Sequence, residues 1–289
     1  MAAFAASVSV PAVSASDVSE GVRTRRIALL VEYDGTEFAG SQAQLRQRTV
    51  QDVIEHALAS FTGERQRVRF AGRTDAGVHA LGQVVTLDTQ TAHAPARFIE
   101  AVNRYLPFDV AVRAACEVLM AFDPRRSASS RLYRYAIEDG RPRSPLTRRT
   151  AWQIKAPLDA EAMARAAETL PRSATDWSAF AGRVPADRST VRTLTACEVL
   201  RCEPYRIVVQ MEAQAFLPHQ VRRTVGALVE VGVGRLTVEA FARLLDGTPS
   251  SAGPSAPAQG LTLVAVRYAQ GMVDWDDERD DDKDVSPQR

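Results

Sequence analysis

The order of strand-like and helix-like segments over the first 120 residues constrains the fold more than any other feature. Alternating apolar residues place one face of a first strand on the core: Ile27, Leu29, Val31 and Tyr33. The segments that follow are a helix from residue 50, strands at 67–70 and 83–87, a helix over 96–106 and a strand over 110–118. This β-α-β-β-α-β order predicts a ferredoxin-like α/β sandwich.

The second half repeats the alternation imperfectly. Its segments are a strand over 131–138, a helix over 158–170, strands over 190–200 and 206–214, helices over 217–232 and 237–245, and a strand over 261–268. We therefore predict an α+β protein of two ferredoxin-like (RRM-like) α/β sandwich domains, with a cleft between them. The predicted limits are a disordered leader over 1–24, domains over 25–120 and 121–270, and an acidic disordered tail over 271–289.

Charge is distributed unevenly along the chain. The formal net charge is +1, yet eight acidic and two basic residues over 274–284 carry −6. With Arg289 also set aside, residues 1–273 carry +6. Such a body suits a polyanionic partner, although an ordinary solvated surface explains the charge equally well.

Composition excludes several classes of protein. No apolar run approaches the roughly 20 residues of a membrane span. The three cysteines form no Cys-x-x-Cys pair, which is typical of a reduced cytoplasm, and the four histidines lack metal-ligand spacing, so we expect no metal. Neither a P-loop nor a complete G-x-G-x-x-G motif is present, so we expect no nucleotide cofactor.

A glycine-rich segment over 71–80 is the strongest candidate for chemistry. It lies between two apolar strands and carries Asp75 two residues after Arg73. Loops of this kind often host active sites, and a nearby guanidinium favours the ionised carboxylate. A simple turn with a salt bridge between the two side chains is the alternative interpretation.

Five ordered motifs resemble those of the tRNA pseudouridine synthase A family and together span about residues 25–270. The first is Arg-Thr-Asp-Ala-Gly-Val-His at 73–79. The others are Tyr-Asp-Gly-Thr-Glu-Phe-Ala-Gly at 33–40 with Thr-Val-Gln at 49–51, residues 127–135, residues 215–226, and Ser-Ala-Pro-Ala-Gln-Gly-Leu at 255–261. The resemblance implies the pseudouridine synthase fold, with mainly antiparallel sheets and a catalytic cleft.

The resemblance also implies a function. The expected enzyme is a cofactor-free tRNA pseudouridine synthase that isomerises uridine at positions 38, 39 and 40 of the anticodon stem-loop. It implies a homodimer in which one tRNA touches both subunits. Two rivals are a binding-only RNA module and an acid–base enzyme acting on a small nucleoside.

The resemblance further assigns roles to four residues. Asp75 is the catalytic carboxylate, and whether it adds to the base, attacks C1′ or abstracts the 2′ proton stays open. Arg73 flips the base, or else only pairs with Asp75, and Tyr133 stacks on the extruded uracil, or else is a strand-core residue. Arg222 pairs with Asp75 or a phosphate, or else lies on a helix surface.

Other expectations concern supporting residues. A general-base role is conceivable for His79, but we expect it to be structural, since one carboxylate serves the reaction. Departures from the family pattern occur at five positions, namely Ser41, Asp123, Pro218, Gln220 and Arg223. Basic residues elsewhere would hold the phosphate backbone, although for any single pair a solvated edge is the favoured interpretation: Arg23, Arg25, Arg26, Arg46, Arg48, Arg125, Arg126, Arg141, Arg143, Arg148 and Arg149.

Overall fold

The first strand, β1 (Arg25–Tyr33), has the two-sided pattern that its sequence predicts. Ile27 and Leu29 face the main core, whereas Ala28 and Leu30 face smaller apolar clusters on the opposite side of the sheet. The computed structural model describes residues 23–249 and 251–275. The remainder of the predicted leader and tail lies outside the described residues.

The first two helices begin and end where local chemistry dictates. Helix α1 (Val50–Thr62) begins after Thr49, whose hydroxyl accepts the backbone N–H of Asp52, as the capping pattern predicts. Helix α2 (Pro95–Asn103) ends three residues before the predicted limit. The side chain of Asn103 bonds both backbone groups of Val112, at 2.7 and 2.8 Å, and this fixes the helix end.

The remaining elements follow in chain order. They are β2 (Arg69–Phe70), β3 (His79–Thr89), β4 (Val110–Val118), β5 (Ala128–Asp139), β6 (Trp152–Ile154), α3 (Ala160–Glu168), β7 (Thr175–Asp176), β8 (Val191–Arg192), β9 (Leu194–Glu203), β10 (Arg206–Ala213), α4 (Gln220–Gly232), α5 (Val238–Ala242) and β11 (Leu261–Tyr268). The sequence did not predict β6 or β7. Helix α4 begins three residues later than expected, because His219 has a left-handed backbone with φ 60°.

One continuous sheet joins the two halves of the chain. Within the described residues it has nine strands, with seven in the order β4-β1-β3-β11-β5-β10-β9, while β2 pairs with β3 and β6 pairs with β5. Most neighbours are antiparallel, in agreement with the expected mixed α/β class. The two predicted α/β units therefore share a sheet and one main core.

The junction between the halves is a short parallel pairing of β3 with β11. It aligns Thr262 with His79 and Leu263 with Ala80. Because parallel strands begin at the same edge, the loop before β3 and the segment before β11 lie side by side. The sequence-derived site segments 71–78 and 255–261 meet here.

Residues at the end of the described chain also pack on the sheet. Val273 and Trp275 contact the apolar cluster that contains Ala28 and Phe122. They fall within the range predicted as the tail. The packed body thus includes residues up to 275.

Candidate active site

The loop over residues 71–78 is held by buried polar side chains. The amide of Gln83 donates to the carbonyl of Gly72 at 2.9 Å, and the hydroxyls of Tyr33 and Thr74 are 2.8 Å apart. Burial raises the pKa of Tyr33 to about 12, so its hydroxyl keeps its proton at neutral pH. These bonds give the loop a fixed backbone immediately before Asp75.

A second segment, which contains Gly40 and Ser41, is hydrogen-bonded to the same loop. The hydroxyl of Ser41 accepts the N–H of Thr74 at 2.9 Å, and the N–H of Ser41 donates to the Thr74 carbonyl at 3.1 Å. Gly40 has φ 104°, and a Cβ there would lie 2.9 Å from that carbonyl oxygen. The close approach explains a glycine at position 40. Ser41, a departure from the family pattern, is fully buried.

Arg131 connects the loop to the second half of the chain. Its guanidinium donates to the carbonyls of Ala71, Arg125 and Gln214 at 2.8, 2.6 and 2.5 Å. Burial lowers the pKa of Arg131. Sequence reasoning gave this residue no role, although it stands two positions before Tyr133 in one of the quoted motifs.

Asp75 and Arg222 meet as the sequence led us to expect. Nη1 of Arg222 lies 3.1 Å from Oδ2 of Asp75, whose side chain is 37% exposed. Nε of Arg222 donates to the carbonyl of Ala256 at 2.7 Å, so the guanidinium is anchored on the segment before β11. Within residues 23–249 and 251–275, no donor is bonded to the other carboxylate oxygen, Oδ1.

His219 also reaches Asp75, and sequence reasoning missed it. Its Nε2 lies 3.6 Å from Oδ2 of Asp75, and its Nδ1 lies 3.2 Å from the hydroxyl of Ser255. The signal available in the sequence was its spacing. His219 stands three residues before Arg222, one helical turn away on the same side.

An open cavity of about 600 Å³ surrounds the carboxylate. Its walls come from residues 39–47, residues 73–76, His219 and Arg222. The volume lies within the range of ligand pockets, roughly 300–1,000 Å³. Arg73 is exposed at this cavity, and among the described residues it forms no ion pair with Asp75.

Tyr133 is buried beside the site. Its ring packs edge-on against Phe216, with centroids 5.3 Å apart. Burial raises the pKa of Tyr133, and the negative charge of Asp75 acts in the same direction. Its hydroxyl is hydrogen-bonded to no described residue, so this group is free to meet a ligand. Tyr135 is fully buried, and its hydroxyl donates to Pro257.

His79 has the surroundings of a structural residue, as expected. Its Nδ1 accepts the backbone N–H of Gly35 at 3.1 Å. Its Nε2 faces the carbonyls of Arg149 and Gln259 at 2.8 and 3.1 Å. Both ring nitrogens are therefore used to join segments of backbone.

The other departures from the family pattern have structural partners. The side-chain oxygen Oε1 of Gln220 accepts the backbone N–H of Leu217 at 2.8 Å, and Nη1 of Arg223 donates to the Gly253 carbonyl at 2.9 Å. The carbonyl of Pro218 accepts the Gly182 N–H.

Asp123 caps a turn through the backbone N–H groups of Arg125 and Arg126. Burial alone would raise the pKa of Asp123, but these two bonds outweigh it and lower the pKa. None of these five residues is hydrogen-bonded or ion-paired to the Asp75 side chain, whose described partners are Arg222 and His219.

The expected phosphate contacts need correction. The guanidinium of Arg26 is buried and bonds both oxygens of Asp88, so the expectation is wrong for this residue. Arg48 is paired in the same two-bonded way with Asp109. Other arginines, including Arg126, are exposed and remain candidates for phosphate contact.

No cluster of three or more His, Cys, Asp or Glu side chains is placed to hold a metal ion in the described part of the chain. Within the same residues, no helix has the length and apolar character needed to cross a bilayer.

A carboxylate bonded to a guanidinium lies in an open cavity beside a mixed α/β sheet. Together with the family match, these features define an enzyme of the RNA uridine isomerase class. A family model described as tRNA pseudouridine synthase matches residues 29–125 and 174–269. The chain belongs to this family.

Individual relatives agree. The tRNA pseudouridine synthase A of Chloroflexus aurantiacus is 44% identical over 255 residues, which is 87% of this chain and 91% of the relative. That of Roseiflexus castenholzii is 45% identical over 85% of this chain and 92% of its own length. That of Geobacter sulfurreducens is 42% identical over 84% of this chain and its own full length.

Proposed function

We propose that this chain isomerises uridine to pseudouridine in the anticodon stem-loop of tRNA, at positions 38, 39 and 40. The observation that carries the proposal is the state of the Asp75 carboxylate. Oδ2 is held by Arg222, whereas Oδ1 has no described partner and the residue lines an open cavity. Membership of the family supplies the reaction class and the tRNA substrate.

The reaction needs one positioned carboxylate and no external reagent. The N1–C1′ bond of the nucleotide breaks, the uracil turns, and a C5–C1′ bond forms. C5 loses its proton to solvent and N1 gains one, so atoms and electrons balance within the substrate. Asp75 can serve as nucleophile or as base in this sequence, because an aspartate is an ionised carboxylate at neutral pH.

Reaching Asp75 requires the uridine to leave its stack, which costs a few kcal/mol. Arg73 suits the base-flipping role, because its side chain is exposed at the cavity and does not pair with Asp75. Tyr133 suits contact with the extruded uracil, since its ring lies beside the site and its hydroxyl has no described partner. Arg222 positions the carboxylate through its hydrogen bond to Oδ2.

The decisive experiment follows release of tritium from tRNA labelled at uridine C5. We expect release by the wild-type protein and none by Asp75→Asn, with tRNA affinity retained. Asp52→Asn is the matched control on the exposed side of α1 and should retain activity. The carboxylate of Asp52 accepts the Thr49 hydroxyl and does not line the cavity.

Each outcome of the assay is informative. Wild-type protein that binds tRNA without releasing label would support the binding-only rival. Release from free uridine alone would support the small-nucleoside rival. Activity of Asp75→Asn equal to that of wild type would contradict the catalytic assignment.

We further propose that the protein acts in the cytoplasm as a homodimer and that each tRNA touches both subunits. Support comes from the family resemblance, and large apolar side chains such as Phe108 and Leu146 are exposed. Sedimentation at several protein concentrations, with and without tRNA, tests the dimer. A monomer at all concentrations would contradict it.

A further inference from the structure

We infer that His219 is a positioning residue for Asp75 and that Ser255 sets its tautomer. The inference rests on the proposed function, because it concerns the same carboxylate. It accounts for the uncommon backbone conformation of His219, for the position of its imidazole beside Asp75, and for the contact of that imidazole with Ser255. None of these is explained by the pairing of Arg222 with Asp75 alone.

The three side chains form a short chain of polar contacts. The hydroxyl of Ser255 lies 3.2 Å from Nδ1 of His219, and Nε2 of His219 lies 3.6 Å from Oδ2 of Asp75. A neutral imidazole has one N–H and one acceptor nitrogen. If Ser255 donates to Nδ1, the proton of the ring is on Nε2. That proton faces the carboxylate.

The backbone of His219 is held in a conformation that non-glycine residues rarely adopt. Its φ and ψ angles are 60° and 2°, at the residue that immediately precedes α4. The preceding carbonyl, of Pro218, accepts the N–H of Gly182 at 2.7 Å, which fixes the turn. Uncommon backbone angles often mark functional sites, and here they accompany a side chain that lines the catalytic cavity.

Space for the imidazole is provided by Gly182. A Cβ at that position would lie 3.4 Å from two carbon atoms of the His219 ring and 3.3 Å from the Pro218 carbonyl oxygen. The ring is thus confined on one side by the backbone of Gly182. The Nε2 atom of the ring lies toward Asp75.

The geometry divides the roles of the two carboxylate oxygens. Both Arg222 and His219 approach Oδ2, at 3.1 and 3.6 Å, and no described group is bonded to Oδ1. The hydrogen bond from Arg222, with the imidazole beside the same oxygen, restricts the rotation of the carboxylate. Oδ1 is therefore the oxygen presented to the nucleotide. The 3.6 Å contact exceeds hydrogen-bond length, and we expect it to shorten when tRNA excludes water from the cavity.

Two conservative substitutions separate this role from a purely structural one. His219→Gln keeps a side-chain N–H at the distance of Nε2, whereas His219→Asn reaches only as far as Nδ1. Asparagine tolerates the left-handed backbone better than glutamine does. A donor role therefore favours the Gln variant, and a purely structural role favours the Asn variant.

The measurement is single-turnover tritium release together with the steady-state KM for tRNA. For His219→Asn we expect kcat to fall about 10- to 100-fold with KM within about twofold of wild type. His219→Gln should recover most of that loss, even if its thermal midpoint is lower. Ser255→Ala should reduce kcat by a smaller factor, since the ring is retained. His56→Gln, on the exposed side of α1, is the control and should match wild type.

Several results would overturn the inference. These are wild-type kcat in His219→Asn, a larger kcat for Asn than for Gln, or wild-type kcat in Ser255→Ala. If both His219 variants fail to fold, Ser255→Ala alone decides the question. An inactive wild-type protein in the same assay would contradict the proposed function instead, so the two failures are distinguishable.

Discussion

Arg222 contacts Asp75 across 147 positions of sequence, with Nη1 of the arginine 3.1 Å from Oδ2 of the aspartate. The contact depends on the parallel pairing of β3 with β11, which places the loop over 71–78 beside the segment before β11. Arg222 is fixed on that segment through Ala256, to which it is joined by two hydrogen bonds. Asp75 therefore belongs to the first half of the chain, whereas Arg222, which positions its carboxylate, belongs to the second half.

This relationship predicts the effect of Arg222→Lys. A lysine has one ammonium group and cannot serve both Ala256 and Asp75 as the guanidinium does. We expect kcat for tritium release to fall about 100-fold, because the carboxylate loses its fixed geometry. Arg235→Lys is the control, since Arg235 is exposed, pairs with Glu230 and does not line the cavity. Unchanged kcat in Arg222→Lys would show that the ammonium alone suffices.

A second prediction concerns Ser41, which stands where the family pattern has tryptophan. Ser41→Ala removes the acceptor of the Thr74 N–H in a fully buried position. We expect the free energy of unfolding to fall by about 1–2 kcal/mol, measured in urea, and kcat to fall about tenfold. The exposed Ser129→Ala should change neither quantity. A Ser41→Ala variant that is as stable and as active as the wild type would show that the loop does not need this hydrogen bond.

Much of the fold could be predicted because its elements have local signals. The alternation over residues 25–33 gave β1 its correct limits, and Thr49 marked the start of α1. Helix α4 was placed three residues too early, because apolar spacing does not reveal the left-handed backbone of His219. The sequence also did not predict that β3 pairs with β11 and so joins the two halves into one sheet. That pairing aligns only two residues on each strand, and residues 79–80 carry no local mark of it.

The candidate site shows the same division. Motifs pointed to Asp75 and Arg222, but the sequence left open whether Arg222 pairs with Asp75 or with a phosphate; in the structure the two side chains are 3.1 Å apart. His219 and Arg131 were missed, although both stand inside quoted motifs, because their roles depend on partners distant in sequence. The error over Arg26 has a similar cause. Its pairing with Asp88 is a cross-strand contact that charge counting does not detect.

A third prediction concerns stability at acid pH and the ion pair between Asp139 and Arg201. Burial alone would raise the pKa of Asp139, but two hydrogen bonds from Arg201 and one from the Leu158 N–H outweigh it and lower the pKa. A lowered folded-state pKa contributes stability above the unfolded pKa, near 4. That stability is lost as the pH falls through the folded value.

The test compares urea unfolding of wild type and Asp139→Asn. We expect the variant to be less stable by about 3 kcal/mol at neutral pH, because the arginine loses a buried partner. The difference should shrink below about pH 4, where Asp139 of the unfolded wild-type chain becomes protonated while the folded carboxylate is still ionised. Glu100→Gln, in an exposed pair with Arg97, should show no such difference. If the difference in the free energy of unfolding did not change with pH, the ionised form of Asp139 could not be its source.

The last prediction uses two tyrosines that are separated by one residue on the same strand. Tyr135 donates to the Pro257 carbonyl at 2.7 Å, whereas the hydroxyl of Tyr133 is bonded to no described residue. Tyr135→Phe should therefore lower the free energy of unfolding by about 1 kcal/mol, because a buried carbonyl loses its donor. Tyr133→Phe should not lower stability, since the ring and its contact with Phe216 remain. It should instead lower kcat at unchanged tRNA affinity, because a hydroxyl kept near Asp75 without a protein partner is available to the substrate. Urea unfolding and tritium release on both variants test this pair, and a Tyr133→Phe variant with wild-type kcat would limit Tyr133 to stacking.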